Sequence, residues 1–223
     1  MAKIAMVLGA TGLVGGYVTE LLLNDDTWDE VRVLVRRPLD SGHPKLKQYT
    51  VDWERLDSYA AYFENVEAVF CCLGTTIKKA GSQPAFERVD LEYPLQAARL
   101  AGEAGVRQML AVSSMGANPR SRNFYSRTKG RMEEAMAASG LPGVHLFRPS
   151  LLLGPRREFR LGERLGAVLM KTFGFLLAGR AAEYKAVHGS AVARAMIAIA
   201  NTGTRGVHVY PNGVIRVIGR DGS

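Results

Sequence analysis

The stretch KIAMVLGATGLVGGYVTELLLN, Lys3 to Asn24, decides the fold. A short apolar run of strand length enters a glycine turn, which opens directly into a helical pattern. Gly9, Gly12 and Gly15 follow G-x-x-G-x-x-G spacing. In such a turn the first glycine permits the sharp reversal. The second lets main chain approach a pyrophosphate, and the third lets helix pack close on strand. Phosphates there meet unpaired N–H groups and the positive end of the helix dipole. A dinucleotide cradle is therefore expected over Gly9 to Gly15, with Thr11, Leu13 and Val14 between the glycines. A glycine-rich turn without ligand is the plain alternative. The position of this turn, at the head of an alternating chain, argues for the cradle.

Outward from this stretch, short apolar runs alternate with longer helical patterns. KIAMVL, EVRVLV, EAVFCCL, RQMLAVS and GVHLFR read as strands buried on both faces. GLVGGYVTELLLN, RLDSYAAYF, AFERVDLEYPLQAARLAGEAG and the segment around Tyr125 read as helices. Such alternation predicts an α/β fold: a doubly wound, mostly parallel sheet with helices on both faces. Pro94, inside the third helical pattern, removes a donor and is expected to kink or restart that helix. After Pro149 come a loop, the apolar segment ERLGAVLMKTFGFLLAG, then SAVARAMIAIAN and a last strand around GVHVY.

At 223 residues, 47% hydrophobic and 22% charged, the chain can bury one core, so one domain is expected. Residues 1–148 read as its cofactor-binding part, 149–215 as substrate-side elements and 216–223 as a tail. The formal charge of +8 suits an anionic ligand. The basic residues are scattered, apart from Arg156, Arg157 and Arg160, and without a basic run or aromatic ladder no nucleic-acid partner is expected. Cys71 and Cys72 are adjacent in an apolar run and would point to opposite faces of a strand, as buried thiols rather than a disulfide. The N-terminus lacks the long apolar region of a signal peptide. The segment Leu165 to Ala178 is too short to span a bilayer. A soluble, cytoplasmic protein follows as the expectation.

The second strand selects among nucleotides. A site for NAD usually ends this strand with an acid that bonds the ribose 2′-hydroxyl, whereas a 2′-phosphate needs positive charge. Here the strand ends LVRRP, with Arg36 and Arg37 and no acid before Asp40. Guanidinium groups make forked, charge-assisted contacts to phosphate, so NADP(H) is favoured over NAD(H). Asp52, in TVDWERL after the third strand, is a candidate for the adenine edge or for the N-cap of the next helix.

The fifth strand ends in Ser113 and Ser114, shortly before Tyr125. In a doubly wound sheet that end faces the ligand crevice. Tyr125 and Lys129 then share one helix face, one turn apart. Tyr-x-x-x-Lys alone is common by chance, so its placement carries the weight. Hydride transfer to a carbonyl needs a general acid. A free tyrosine, with a pKa of ~10, is poorly matched to neutral pH unless a neighbouring ammonium stabilises the phenolate. Tyr125 is the candidate acid/base, Lys129 its cationic neighbour and a bond to the nicotinamide ribose, and Ser114 the group that polarises the substrate oxygen. No metal is required.

GATGLVG, AVSSMGA and YSRTK, in this order, resemble the short-chain dehydrogenase/reductase superfamily in its atypical branch. CCLGTTIKKAGSQPAFERVDLEYPLQAARLA and FRPSLLLGPR are similar to its Tat-interacting-protein oxidoreductase subfamily. The likeness covers residues 3 to 205. It implies a Rossmann sheet, NADPH binding and a Ser-Tyr-Lys triad of Ser114, Tyr125 and Lys129, with Ser113 as a possible substitute. It also implies a cofactor lining at Gly74 and Thr75, with Leu73 before them, and a turn beside the nicotinamide at Pro149 and Ser150. Asp90 stands where many relatives have Asn, which puts in doubt any proton relay through it. Members of this subfamily are also described as regulators acting through protein partners.

Three functions follow in order. The first is an NADPH-dependent oxidoreductase acting on a small carbonyl or alcohol. The second is an NADPH-binding regulator with little turnover, and the third a sugar-nucleotide epimerase or dehydratase, for which the chain after Pro149 is short. Monomer or homodimer stays open, as does peripheral membrane contact; an integral membrane protein is not expected. Lys78 and Lys79 read as solvated loop lysines, Ser190 as a helix cap and His145 as structural. The segment Leu165 to Ala178 reads as pocket wall and local core.

Overall fold

In β1 (Ile4–Leu8) all five residues are buried, and the two-residue repeat of the strand divides them between two cores. Ile4, Met6 and Leu8 face one, Ala5 and Val7 the other. A strand buried on both sides must be covered on both sides, and the rest of the chain does this. The computed structural model describes residues 2–154 and 184–220. After β1 come α1 (Leu13–Leu23), β2 (Glu30–Val35), β3 (Leu46–Thr50), a 3₁₀ segment (Trp53–Phe63) and β4 (Val66–Cys71). Two short helices, α2 (Ile77–Ala80) and α3 (Gln83–Glu87), lead through a π turn (Arg88–Glu92) into α4 (Tyr93–Glu103). Next are β5 (Gln108–Val112), α5 (Phe124–Ala137), β6 (Gly143–Arg148) and β7 (Leu152–Leu153). β8 (Val187–His188), α6 (Gly189–Thr202), β9 (Gly206–Pro211) and α7 (Asn212–Ile218) complete the described chain.

The main sheet has seven strands in the order β3-β2-β1-β4-β5-β6-β9, all parallel; β7 and β8 form a separate parallel pair. This is the expected doubly wound, Rossmann-like α/β fold. The chain reverses its direction of winding between β1 and β4. That switch point opens a crevice beyond the carboxyl ends of the strands. The 3₁₀ segment, α4 and α5 cover one face, burying Trp53, Leu56, Ala97, Ala101, Met132 and Met136; α1, α6 and α7 cover the other.

Three elements differ from the sequence reading. RLDSYAAYF is not a continuous α-helix but 3₁₀ turns broken at Arg55 and Tyr59, whose backbone angles leave the helical region. The long third helical pattern is split: Tyr93 N–H bonds back to Arg88 O across a π turn, and α4 restarts with Pro94 in its first turn. β9, expected among substrate-side elements, joins the main sheet beside β6, and α7 runs through Ile218 into the stretch expected as a tail. The apolar segment Leu165 to Ala178 and Arg156, Arg157 and Arg160 lie outside the described residues. Among those described, no helix is long and apolar enough to cross a membrane.

Candidate functional site

The glycine turn sits at the switch point. Gly9 has a φ of 85°, in the left-handed region, and a Cβ there would lie 2.5 Å from Cys72 O on β4's exit. A Cβ on Gly15 would lie 2.1 Å from Gly9 O, so α1 can dock on the turn only without one. Gly12 N–H closes the turn on Gly9 O at 2.9 Å, and Gly12 caps α1 with no side chain. Thr11 and Gly12 are exposed, Leu13 is half-buried, and Val14 anchors the helix in the core. The first helical N–H groups thus face the crevice with no acid in the first turn, the arrangement that receives a pyrophosphate. This cradle, in which a Cβ at Gly9 or Gly15 would collide with main chain, fits a dinucleotide.

Arg36 and Arg37 are exposed at the end of β2, and no ion pair engages either among the described residues. Asp52 acts as the N-cap of the 3₁₀ segment, accepting from Glu54 N–H at 3.0 Å. At β4's exit Leu73 and Thr75 are half-buried and Gly74 is exposed. Cys71 is buried and Cys72 half-buried; both are free thiols. Burial pushes Cys71 up to about 11 and Cys72 well above its ordinary value, so neither is a thiolate at neutral pH.

Past β5 the ladder continues: Ser113 N–H donates to Phe147 O at 2.7 Å and Met115 N–H to Pro149 O at 2.9 Å. Alternation from Ala111 puts Ser113 on the α5 side of the sheet, where its Oγ is buried with no hydrogen-bond partner among the described residues. Ser114 is half-buried, and its Oγ makes one long bond, to Met115 O at 3.3 Å. The loop that follows lies against α5. Asn118 N–H donates to Ser126 O at 3.0 Å, and a Cβ on Gly130 would lie 2.2 Å from the main chain of Asn118 and Pro119. Asn123 caps α5 through Ser126 N–H. Tyr125 is half-buried in the first turn, its ring 5.8 Å from that of the fully buried Phe86.

Lys129, 4% exposed, reaches across to Asp90, 1% exposed, with Nζ and Oδ1 2.8 Å apart. Asp90 Oδ2 also accepts from Thr75 N–H at 2.8 Å. Burial alone would lower the pKa of Lys129; the Asp90 carboxylate, helped by Tyr125 and Cys71, reverses this and raises it. Lys129 and Thr75, both expected at the site, are therefore joined through Asp90, whose part the sequence reading left open. Pro149 is buried. Ser150 is committed to the fold, its N–H to Asn212 Oδ1 at 3.0 Å and its Oγ to Lys185 O at 2.7 Å. Arg148 pairs with the buried Glu133 at 2.9 Å, fastening α5 to the end of β6. Gly130, Phe86, Glu133 and Asn212 were absent from the sequence reading. Only Gly130, beside Lys129 in a helix interior where glycine is unfavourable, left a signal.

Residues 9–173 match a family model described as NAD(P)H-binding. The chain belongs to this NAD(P)H-binding family. It is 34% identical to Protein HTATIP2 of Rattus norvegicus over 98% of this chain and 90% of that protein. It is 29% identical to the FMP52 protein of Debaryomyces hansenii over 88% of this chain and 87% of that one. Among solved structures, MoeE5 in complex with UDP-glucose and NAD superposes with a TM-score of 0.73 at 22% identity, over 93% of this chain and 75% of that chain. That likeness speaks for the fold. The family, its relatives and the Rossmann sheet agree with the resemblance read from the motifs. The cytoplasmic expectation is corrected. The FMP52 relatives of Debaryomyces hansenii and Candida albicans are named mitochondrial.

Proposed function

We propose that the protein is an oxidoreductase using NADP(H) in preference to NAD(H) and acting on a small carbonyl or alcohol. The observation that carries this is the buried Lys129 ammonium one turn from Tyr125, on a helix seated against the loop that leaves β5. When bound, the cofactor supplies or accepts the hydride. The chain's residues hold it and manage the proton. The Gly9–Gly15 turn, with Thr11, Leu13 and Val14, receives the pyrophosphate, and Arg36 and Arg37 receive the 2′-phosphate. Asp52 keeps its cap and borders the adenosine side; Leu73, Gly74, Thr75, Pro149 and Ser150 line the crevice at the exits of β4 and β6.

Tyr125 gives its hydroxyl proton to the carbonyl oxygen in reduction and takes it back in oxidation, with Lys129 stabilising the phenolate. Ser114, half-buried and weakly bonded, orients the substrate oxygen; Ser113, with its Oγ buried on the α5 side and unpartnered among the described residues, is the second candidate. The substrate side begins at residue 149 of a single domain. The test has two arms. NADPH is expected to raise the melting temperature more than NADH does, and equal shifts would sink the arginine assignment. A carbonyl screen followed by NADPH oxidation should yield an activity lost in Tyr125→Phe; an activity that survives this change removes Tyr125 from the chemistry. Cofactor binding without any turnover would favour the regulatory reading.

A further inference from the structure

We infer that Asp90 is a positioning residue, whose ionised carboxylate ties the main chain of the cofactor-lining loop to the Lys129 ammonium and so fixes both walls of the crevice with one side chain. This rests on the proposed function, in which Lys129 stabilises the Tyr125 phenolate. The geometry carries it. Two donors converge on Asp90: Thr75 N–H on Oδ2 and Lys129 Nζ on Oδ1, each at 2.8 Å. The loop lies directly on the carboxylate, since a Cβ on Gly74 would stand 3.4 Å from Oδ1.

Only a carboxylate offers an acceptor to both donors. An asparagine in the same pose offers one oxygen and one N–H₂, so either Thr75 or Lys129 would face a donor. A neutral side chain at this position therefore releases one wall or the other. It also leaves Lys129 buried without its counter-charge. The titratable groups felt by Lys129 are Asp90 on the π turn, Tyr125 on its own helix and Cys71 on β4. Cys71 stays a neutral thiol, and Tyr125 is the proton donor, so the counter-charge that holds the ammonium is the Asp90 carboxylate at 2.8 Å. Without it, burial dominates and the ammonium loses its proton at lower pH.

The experiment uses the full chain, NADPH titrated by fluorescence from pH 6 to pH 9.5, and [15N]lysine NMR of the cofactor-free protein. In Asp90→Asn, the affinity is expected to fall more than in wild type toward pH 9.5, tending to about ten-fold per pH unit above the lowered pKa of Lys129. The Lys129 resonance should titrate about one to three units lower than in wild type. In a Lys129→Met background the further change Asp90→Asn should add no loss beyond about two-fold, because Asp90 then has no lysine to position. That neutral pair also remains foldable if Asp90→Asn alone does not. A pH-independent loss in Asp90→Asn, an unmoved Lys129 titration, or equal losses in both backgrounds would each overturn the assignment in favour of a plain structural ion pair. If wild type binds neither NADPH nor NADH, the proposed function fails, while the NMR titration still decides the role of Asp90.

Discussion

Replacing Gly130 by alanine tests the seating of α5 on the loop after β5, because the clash is with main chain and no rotamer relieves it. The added Cβ would stand 2.2 Å from Asn118 C and from Pro119 N, and 2.6 Å from Asn118 N. Ordinary carbon contacts lie near ~3.5 Å, so helix or loop must retreat by about 1 Å. The loop resists, being closed by Asn118 N–H to Ser126 O and Ser121 N–H to Asn118 O, both 3.0 Å. Overpacking of this kind costs up to about 3 kcal/mol. Alanine recovers about 1 kcal/mol over glycine in a helix interior. The net loss of about 2 kcal/mol corresponds to a melting temperature lower by roughly 4–8 °C in a chain of this length. The same retreat moves Tyr125 and Lys129 relative to Ser113 and Ser114, and misplacement by about 1 Å can cost ~10²-fold in rate. Differential scanning fluorimetry and turnover on a substrate from the carbonyl screen give both quantities. If Gly130→Ala melts and turns over like wild type, α5 is not seated this tightly and the spatial argument for the site fails.

Gly15→Ala places a Cβ 2.1 Å from Gly9 O and should abolish the cofactor-induced rise in melting temperature, measured with NADPH in excess. Changing Arg36 and Arg37 together to alanine should weaken NADPH by about 10–100-fold, the worth of one charge-assisted bond, and leave NADH nearly unaffected, by parallel titration. His145, fully buried on β6 opposite His208 of β9, gives a pH signature. Burial, reinforced by His208 beside it, lowers its pKa from 6.5 to about 4. The unfolded chain therefore binds the proton first. The stability from neutral His145 is complete above pH 6.5 and is lost as pH falls toward about 4, by at most ~1.4 kcal/mol per pH unit. Urea midpoints across that window should fall in wild type and flatten in His145→Gln; parallel slopes would discard the assignment.

β1, β2, β4, β5 and β6 were legible because strands inside a parallel sheet are buried on both faces and read as unbroken apolar runs. β3, LKQYT, is an edge strand packed on one side, with Leu46 its only buried residue, and its sequence holds no such run. The 3₁₀ segment misleads for a related reason. Trp53, Leu56 and Phe63 fit a helical stripe well enough to suggest α-helix, although the turns that deliver them break at Arg55 and Tyr59. The tight turn at Gly9 and the close helix approach at Gly15 were legible, since both requirements are steric and fall within one short stretch. Ser150 shows the limit of motif reading. Its expected place beside the nicotinamide comes from a resemblance, whereas its two donors, N–H and Oγ–H, are already spent on Asn212 Oδ1 and Lys185 O, which are remote in sequence.

The Asp90–Lys129 pair was not legible, and the reason lies in Pro94. A proline in the first turn of α4 cannot donate to the carbonyl four residues back, which belongs to Asp90. The chain answers with the wider π turn over Arg88–Glu92, closed by Tyr93 N–H on Arg88 O. A residue inserted in this way shifts the angular position of every side chain before it relative to α4. In a regular helix through this stretch, Asp90 would share a stripe with Pro94 and Ala97, which α4 buries against the sheet. With the π turn, its carboxylate meets Thr75 and Lys129 instead. A sequence rule that reads Pro94 as a helix breaker is right about the backbone. It cannot say which side chain the break redirects, because that depends on where β4 ends and on where the Gly130 contact seats α5. Substituting Pro94 by alanine should therefore act on the site through Asp90. If the π turn closes to a regular α-helix, the Lys129 [15N] titration should move toward that of Asp90→Asn, whereas an unchanged titration would show that the turn is imposed by packing and not by the proline.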